Sequence, residues 1–373
     1  MKKLGFGLMR LPLTDKTDSK SIDIEALKKM ADAFIENGFC YFDTAYVYHG
    51  GESERAFGEA VAKRHPRDSF KVATKMPIFS ISTEEDLERV FNEQLERCAV
   101  DYFDYYLLHN VAGANYEKAE ALHAFEFVER KKAEGRIKHW GFSAHDTADR
   151  IDLMLTRHPG AEFVQLQINY LDWDNIGIQS RLCYETAVKH GKKVIVMEPV
   201  KGGMLANLPE KAKELLLAGN PDMSAASWAI RYAASLDEVM MVLSGMSNDE
   251  QLEDNMSYMK EFKPLDESEK KTLESAVQSI NEAVSIQCTG CAYCVDGCPM
   301  NIAIPDYFAL YNTEKQEFGK GIASQRGYYR LISTRRGKAS ECIECGQCEA
   351  ECPQHLKITE LLKNVAETFE VKN

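Results

Sequence analysis

Hydrophobic and polar residues follow two alternating patterns along the first 260 residues of the chain. Short apolar runs, typical of parallel strands buried on both faces, are each followed by a longer stretch with helical spacing. The apolar runs cover residues 4–11, 41–45, 70–75, 102–109, 137–143, 163–168, 193–198 and 239–244. The helical stretches include residues 21–37, 52–63, 83–98, 117–134, 147–157, 178–190, 224–234 and 248–260.

This alternation of eight strands with eight helices predicts a (β/α)₈ TIM barrel, an α/β fold, over residues 1–262. An open, doubly wound sheet is the competing prediction, since alternation alone does not separate the two folds. After Phe262 the pattern changes to one polar amphipathic helix, predicted over residues 264–285 inside a helical connector of residues 263–285. Residues 286–373 are predicted to form a second, small domain.

Composition and charge narrow the class of protein. The chain has 373 residues, of which 45% are hydrophobic and 28% charged, as in globular proteins, and a net charge of −13. An acidic chain argues against nucleic acid or an anionic membrane as the main partner. The sequence shows no apolar run typical of a signal peptide and none long enough to cross a bilayer. We therefore expect a cytoplasmic protein.

Two cysteine motifs end the chain, "CTGCAYCVDGCP" over residues 288–299 and "CIECGQCEAECP" over residues 342–353. Both read C-x₂-C-x₂-C-x₃-C-P, the pattern of proteins with two [4Fe–4S] clusters, in which the fourth cysteine of each run ligates the other cluster. Structural zinc, which usually needs two separated C-x₂-C pairs, is the weaker alternative. Residues 288–355 resemble the two-cluster bacterial ferredoxins. The predicted ligand sets are Cys288, Cys291, Cys294 and Cys352, and Cys342, Cys345, Cys348 and Cys298.

The segment between the two motifs is rich in basic residues. These side chains are predicted either to offset cluster charge or dock an acidic redox partner protein, or simply to form a solvated face. They are Lys315, Lys320, Arg326, Arg330, Arg335, Arg336 and Lys338.

A chemically coherent group of residues lies at the ends of three consecutive predicted strands, where the reactive groups of such barrels are found. Asp43, Lys75 and His109 end these strands, and Tyr48 lies just beyond the first. An ammonium held by a carboxylate favours ionisation of a nearby phenol, which suits general-acid catalysis of carbonyl reduction. Each residue alone has a structural explanation, such as a loop cap or a core histidine. The combination predicts a catalytic site.

Three stretches around these residues resemble the aldo-keto reductases. They are "YFDTAYVYHGGESE" (41–54), "ATKMP" (73–77) and "DYYLLHN" (104–110), and the likeness extends over about residues 3–260. The resemblance implies a barrel that reduces aldehydes and ketones with NADPH and without a metal. It implies that Asp43, Tyr48, Lys75 and His109 are catalytic. Together with the cysteine-rich tail, the chain is similar to the iron–sulfur branch of that family.

The resemblance also implies a nicotinamide site, although several positions depart from the family pattern. In "GFSAHD" (141–146) the serine is kept but Ala144 replaces an asparagine, and a methionine stands where an aromatic ring usually stacks. The helix start in "SGMSNDEQLEDN" (244–255) predicts an anion site, with a Ser247–Glu250 capping box as the structural alternative. The predicted cofactor residues are Ser143, Gln167, Met197, Ser244, Gly245, Ser247, Gln251, Asp254 and Asn255.

Two of these positions leave the choice between NADP(H) and NAD(H) open. Gly245 and Gln251 stand where the family has the lysine and arginine that hold the 2′-phosphate, whereas Asp254 and Asn255 match its adenine-contacting pair. The sequence predicts an oxidoreductase that interconverts small carbonyl compounds and alcohols, with two clusters for electron transfer. The alternative is an electron-transfer or redox-sensing module whose barrel binds a ligand without turnover. The altered cofactor positions favour this alternative, and the intact catalytic group favours the enzyme.

Overall fold

Eight parallel strands form a closed barrel in the computed structural model, which describes residues 1–281, 285–286, 288, 290–315, 325–352 and 354–370. The strands pair in chain order, and β1 pairs with both β2 and β8, so the barrel prediction is confirmed and the open sheet is excluded. The strands are β1 Leu4–Gly7, β2 Tyr41–Asp43, β3 Lys71–Met76, β4 Phe103–Leu108, β5 Ile137–Ser143, β6 Phe163–Gln167, β7 Lys193–Met197 and β8 Val239–Ser244.

Helices follow the strands on the outside of the barrel and build the C-terminal part of the chain. Those up to the last barrel strand are α1 Ile24–Glu36, α2 Ser53–Phe57, α3 Glu84–Cys98, α4 Ala114–Ala121, α5 Ala124–Ala133, α6 Ala148–Arg157, α7 Ser180–Lys189, α8 Glu210–Gly219 and α9 Ala225–Ala234. Those after it are α10 Asp249–Met259, α11 Glu267–Asn281, α12 Tyr293–Asp296, α13 Ile304–Lys315, α14 Gln325–Ile332, α15 Gln347–Ala350 and α16 Ile358–Phe369.

The barrel helices differ from the sequence prediction in three places. Helix α8, between β7 and β8, is not among the predicted helices. The single helix predicted over residues 117–134 is two helices, because His123 adopts a left-handed backbone (φ +50°) that a continuous helix does not allow. The helix predicted over residues 52–63 ends as a π-helical turn from Gly58. A side chain at Gly58 would place its Cβ 2.5 Å from the carbonyl oxygen of Arg97, so this glycine permits a close backbone approach.

The connector packs against the outside of the barrel. Helix α11 is shorter than the predicted helix over residues 264–285, and residues 282–284 lie outside the described residues. Its buried face, which includes Leu273 and Ala276, packs on Leu216 of α8. Arg231 and Glu269 add a two-pronged ion pair at 2.7 and 2.8 Å. The polar helix is therefore amphipathic, as predicted, and covers an apolar strip of the barrel.

The C-terminal domain lies against the carboxyl-terminal face of the barrel. Arg335 forms an ion pair at 2.6 Å with Asp146, which follows β5. Asn175, in the loop after β6, donates a hydrogen bond to Thr313 of α13 at 3.1 Å. The small domain thus contacts the loops that surround the barrel mouth, where (β/α)₈ enzymes place their active sites. Among the described residues, no helix has the length and apolarity needed to span a membrane.

A buried carboxyl group supports the strand that carries Lys75. Thr74 Oγ1 and Gln94 Nε2 donate hydrogen bonds to Glu54 Oε1 at 2.6 and 2.8 Å. The same Gln94 nitrogen donates to the carbonyl oxygen of Lys75 at 3.1 Å, so the network fixes the backbone of β3. Burial raises the pKa of Glu54 to about 7.

Replacing Glu54 with glutamine should remove part of the pH dependence of stability. Between pH 4.5 and about 7 the folded state binds more protons at this carboxyl than the unfolded state does. As pH rises through this range, the free energy of unfolding of the wild type should fall by about 3 kcal/mol relative to Glu54→Gln. Denaturant unfolding of both proteins at a series of pH values measures this, with the exposed Glu59→Gln as control. If the difference in free energy of unfolding between wild type and Glu54→Gln does not change with pH, the prediction is wrong.

Candidate active site

The four predicted catalytic residues converge inside the barrel mouth. Lys75 Nζ donates hydrogen bonds to Asp43 Oδ1 at 2.5 Å and to the carbonyl oxygen of Thr44 at 2.7 Å. The same nitrogen lies 4.9 Å from the centre of the Tyr48 ring. The ring of His109 meets the Tyr48 ring edge-on, with 6.0 Å between the centroids. The ammonium therefore lies between the carboxylate and the phenol, with the imidazole beside the phenol.

Burial determines the protonation states of this group. Asp43 and Lys75 are enclosed, whereas Tyr48 and His109 are half-buried at the mouth. Burial lowers the pKa of Lys75, but the charge of Asp43 beside it acts in the opposite direction, and the net pKa is raised, so the ammonium stays charged. Burial raises the pKa of Tyr48 more than Lys75 lowers it. The phenol is therefore protonated, which differs from the ionisation expected from the ammonium alone and keeps a proton available for donation.

His109 has a neutral imidazole. Burial, the charge of Lys75 and the neighbouring His145 together lower its pKa to about 3. Its Nδ1 atom is shielded from solvent and has no hydrogen-bond partner among the residues described. His145, which follows β5, has its pKa lowered to about 4 by burial. Two neutral imidazoles thus line one side of the mouth and can orient a polar ligand without adding charge.

The eight motif cysteines line two cavities in the small domain. One cavity has Cys288, Cys291, Cys294 and Cys352 in its wall. The other has Cys298, Cys342, Cys345 and Cys348. The backbone N–H of Ile302 donates to Cys298 Sγ at 3.4 Å, a contact that suits a cluster-bound thiolate. The donor set of four cysteines in each largely apolar cavity fits [4Fe–4S] clusters.

In the described part of the chain, no three His, Cys, Asp or Glu side chains converge tightly enough to hold a single metal ion. Two predicted features of the small domain, Lys320 and the closing Pro353, lie outside the described residues. Of the basic residues between the motifs, Arg335 pairs with the barrel and Arg326 with Glu314, at 2.6 and 3.3 Å. Part of this basic segment therefore has a structural role.

Both parts of the chain match the models of known protein families. The model of the aldo/keto reductase family matches residues 3–278, and that of the 4Fe-4S dicluster domain matches residues 287–356. The chain belongs to the aldo-keto reductase family. Because the first match covers most of the chain, it is an oxidoreductase of that family with a C-terminal 4Fe–4S domain.

Individual relatives of this aldo-keto reductase are distant. L-galactose dehydrogenase of Arabidopsis thaliana is 26% identical in an alignment 283 residues long that covers 70% of this chain and 85% of that protein. The aldo-keto reductase AKR11C1 from Bacillus halodurans, in its holo form, has a TM-score of 0.59 at 24% identity and covers 74% of this chain and 91% of its own. An aldo-keto reductase from Klebsiella pneumoniae in complex with NADPH has a TM-score of 0.57 at 20% identity, covering 73% and 90% of the two chains.

The predicted nicotinamide-side residues of the aldo-keto reductase lie together at the strand ends. Ser143 accepts a hydrogen bond from the backbone N–H of Asn110 at 2.9 Å. Gln167 donates to Asp172 at 3.1 Å, and Met197 is half-buried at the end of β7. These side chains lie at the carboxyl-terminal ends of β5, β6 and β7.

The predicted phosphate-side residues are largely occupied by bonds within the protein. The cap of α10 is Asn248, whose side chain accepts from the N–H of Gln251 at 2.9 Å, so the Ser247–Glu250 capping box is wrong. The Gln251 side chain in turn accepts from the N–H of Ser247 at 2.8 Å. Asn255 donates to Ser244 at 2.6 Å. The Asp254 carboxylate accepts from Ser224 at 2.8 Å.

Sequence reasoning missed Arg10, which lies at the same side of the mouth. A side chain at Gly245 would place its Cβ 3.1 Å from Arg10 Cβ and Cδ, so Arg10 occupies the space in front of that glycine. Ser247 Oγ donates a hydrogen bond to the Arg10 carbonyl oxygen at 2.8 Å. The Arg10 guanidinium forms no ion pair within the described ranges. The stem of Arg10, from the loop after β1, therefore lies against Gly245.

A second group of charged residues was also missed, at the ends of β6 and β7. Lys201 and Asp172 form an ion pair with side chains 2% and 1% exposed. Asn169 donates to Asp172 Oδ2 at 2.8 Å. Glu198 directly follows β7, and burial raises its pKa to about 7. The signal was present in the sequence, since charged residues next to an apolar strand end need a partner or a function.

Paired substitutions should reveal which cysteines share a cluster in this aldo-keto reductase. Cys288 and Cys352 line the same cavity, so the double Cys→Ser variant of these two should keep one cluster, about four iron atoms. Cys288 and Cys298 line different cavities, so the matched double variant should lose both clusters. Anaerobic purification followed by iron and sulfide analysis gives the answer. The reverse result would mean that each motif binds its own cluster.

Proposed function

We propose that this protein is an NAD(P)H-dependent oxidoreductase that interconverts a small carbonyl compound and its alcohol, with two [4Fe–4S] clusters that transfer electrons. The observation that carries the proposal is the position of Lys75 between Asp43 and Tyr48, with His109 beside the phenol. A binding module has no need of a buried ammonium held against a phenol. Such an arrangement has the donors and charges that reduction of a carbonyl requires.

The protonation state of each residue in the group determines the role that we propose for it. Tyr48 is protonated in the free protein and is the proton donor for a carbonyl oxygen, since Lys75 stabilises the phenolate left after donation. Asp43 keeps Lys75 charged and oriented. His109, with a pKa of about 3, is neutral at physiological pH and so acts as a hydrogen-bond donor to the substrate rather than as a source of protons.

The barrel mouth has residues suited to a nicotinamide cofactor, which supplies a hydride when bound. In this proposal Ser143 and Gln167 bind the amide of the ring, Met197 packs on its face, and Arg10 supplies the cation for a phosphate. The NADPH bound to the relative from Klebsiella pneumoniae and the dehydrogenase name of the relative from Arabidopsis thaliana support this choice.

The cluster cavities lie in a domain docked at this mouth, and bound clusters would accept or supply single electrons. The loop that carries Cys288 and Cys291 contacts the barrel, since a Cβ at Gly290 would lie 3.3 Å from Ile176. In this proposal the clusters exchange electrons with a redox partner protein or with a second substrate.

Replacing Tyr48 with phenylalanine should abolish carbonyl reduction. Loss of the proton donor should lower kcat for NADPH-dependent reduction of an aldehyde about 10²- to 10⁴-fold, while cofactor binding stays unchanged. Tyr46→Phe is the matched control. Tyr46 lies two residues before Tyr48 on the same loop, and its hydroxyl donates a hydrogen bond to Glu93 at 2.9 Å. Steady-state kinetics and a cofactor titration measure both quantities. Unchanged turnover in Tyr48→Phe would reject the catalytic role of Tyr48, whereas a wild type that binds the cofactor without turnover would favour the electron-transfer or redox-sensing module.

Anaerobic addition of NADPH should bleach the visible absorption of the clusters. One NADPH gives up a hydride, which is two electrons and a proton, and two clusters accept one electron each, so one equivalent balances the reaction once a carrier such as a flavin accepts the hydride and passes the electrons on singly. Dithionite serves as the control for clusters that can be reduced at all. If dithionite bleaches the clusters and bound NADPH does not, the clusters receive electrons from a separate donor and the proposed link between the two halves is wrong.

A further inference from the structure

Two loops at the barrel mouth are joined by a row of hydrogen bonds. One loop follows β4 and the other follows β5. The backbone N–H groups of Asn110 and Val111 donate to the Oγ atom and the carbonyl oxygen of Ser143, each at 2.9 Å. The N–H of Gly113 donates to Asp146 Oδ2 at 3.0 Å. The position of the first loop therefore depends on the second.

The loop after β4 needs this support because of its backbone conformation. Asn110 directly follows His109 and has a φ of +51°, in the left-handed region that costs residues with a side chain some energy. Asn115 Nδ2 donates a hydrogen bond to the Asn110 carbonyl oxygen at 2.9 Å. Such a conformation persists only where the surroundings hold it. The position of the His109 imidazole therefore depends on the contacts of this loop.

Asp146 ends the row of hydrogen bonds with a buried carboxylate whose charge is paired from the other domain. Its side chain is 0% exposed, and Arg335 forms an ion pair with it at 2.6 Å. The guanidinium and the N–H of Thr147 both donate to Oδ1, which leaves Oδ2 for the N–H of Gly113. A buried charge that loses its partner is destabilising, because water does not reach it. The Arg335 side chain is 34% exposed, so its loss removes a charge without leaving a cavity in the core.

The ion pair is the polar part of a wider contact between α14 and the same two loops. The Tyr328 ring meets the His145 ring edge-on, with 5.8 Å between the centroids. Leu331 packs against Gly113, where a Cβ would lie 2.6 Å from its Cδ1 atom. These contacts are largely apolar and do not fix a direction. The bonds to Asp146 are directional, so they determine how the two loops are aligned.

The segment that follows Cys298 fixes the position of Arg335. The N–H of Arg335 donates to the carbonyl oxygen of Ile332, the last residue of α14, at 3.0 Å. Two residues further on, the N–H of Gly337 donates to the carbonyl oxygen of Asn301 at 3.1 Å. A Cβ at Gly337 would lie 2.1 Å from a backbone oxygen of this segment, so the close approach requires glycine. The guanidinium is thus held by the part of the chain that also carries a predicted cluster ligand.

We propose that Arg335, in the iron–sulfur domain, is a positioning residue of the barrel site and acts through Asp146. With the cation in place, the carboxylate stays enclosed and keeps its bond to Gly113. Without the cation, the carboxylate turns toward water, the bond is lost, and the loop next to His109 loosens against Ser143. The effect on turnover rests on the proposed function, whereas the effect on the loops does not.

Hydrogen exchange in the cluster-loaded protein, followed by mass spectrometry of peptide fragments, tests the effect on the loops. In Arg335→Gln the amides of Asn110, Val111 and Gly113 should exchange about tenfold faster, because a charge-assisted bond that keeps the loop closed is lost. Arg335→Lys, which keeps the charge, should restore most of the protection. Arg330→Gln, at an exposed position of the same helix, is the matched control and should change nothing. Unchanged exchange in Arg335→Gln would overturn the inference.

Kinetics test whether the alignment of the loops matters for turnover. In Arg335→Gln, kcat for NADPH-dependent reduction of an aldehyde should fall about tenfold at unchanged iron content, and Arg335→Lys should recover most of it. The double variant Asp146→Asn/Arg335→Gln should lose no more than Arg335→Gln alone, because the two residues act as one unit. Losses that add, or faster exchange with an unchanged kcat, would mean that Arg335 has no positioning role.

Two further outcomes keep the inference separate from other failures. If Arg335→Gln loses iron, Asp146→Asn, which leaves the iron–sulfur domain unaltered, replaces it in both measurements with the same expectations. If the wild type reduces no aldehyde, the proposed function fails, and the exchange measurement still decides whether Arg335 acts on the loops.

Discussion

The geometry of the mouth depends on one buried ion pair, between Lys75 and Asp43. Moving two charges out of water costs several kcal/mol per ion, which their attraction offsets only when the remaining donors and acceptors are satisfied. The carbonyl oxygen of Thr44 and, at 3.4 Å, the amide of Gln165 complete the set. The hydrogen-bond network around Glu54 fixes the backbone of β3, because Gln94 in that network donates to the carbonyl oxygen of Lys75. The position of the ammonium against Tyr48 is a consequence of these supports.

A second buried pair, Lys201 with Asp172, has the same organisation on the far side of the barrel. In both places a lysine and an aspartate from neighbouring strand ends are enclosed, and a polar group beside them faces the mouth. The first pair holds an ammonium beside the Tyr48 phenol, whereas the second includes Lys201, whose backbone has a positive φ. Both buried ion pairs cost desolvation energy. The first fixes the position of a charge, and the second fixes the position of the backbone.

Periodicity was enough to predict eight buried strands that alternate with helices, since a parallel strand buried on both faces has to be apolar throughout. It did not separate a barrel from an open sheet, which the pairing of β1 with β8 decides. The predicted strands agree with the observed ones within a few residues, and the predicted catalytic group could be proposed because its members lie at or near strand ends. Arg10 was not found, because only closure of β1 against β8 brings it next to Gly245. Tyr328 was not found for a similar reason. Its proximity to His145 depends on how two domains pack, and no local pattern in a sequence encodes that.

The docking of α14 also has a consequence for how the protein matures. The core of the small domain includes six of the eight motif cysteines, and a metal site that forms only in the folded state contributes its binding energy to folding. The barrel, by contrast, has a large apolar core of its own. A newly made chain can therefore fold its barrel before iron arrives, yet Tyr328 and Arg335 reach the mouth only once the second domain is assembled. Iron supply thus decides when the mouth is complete.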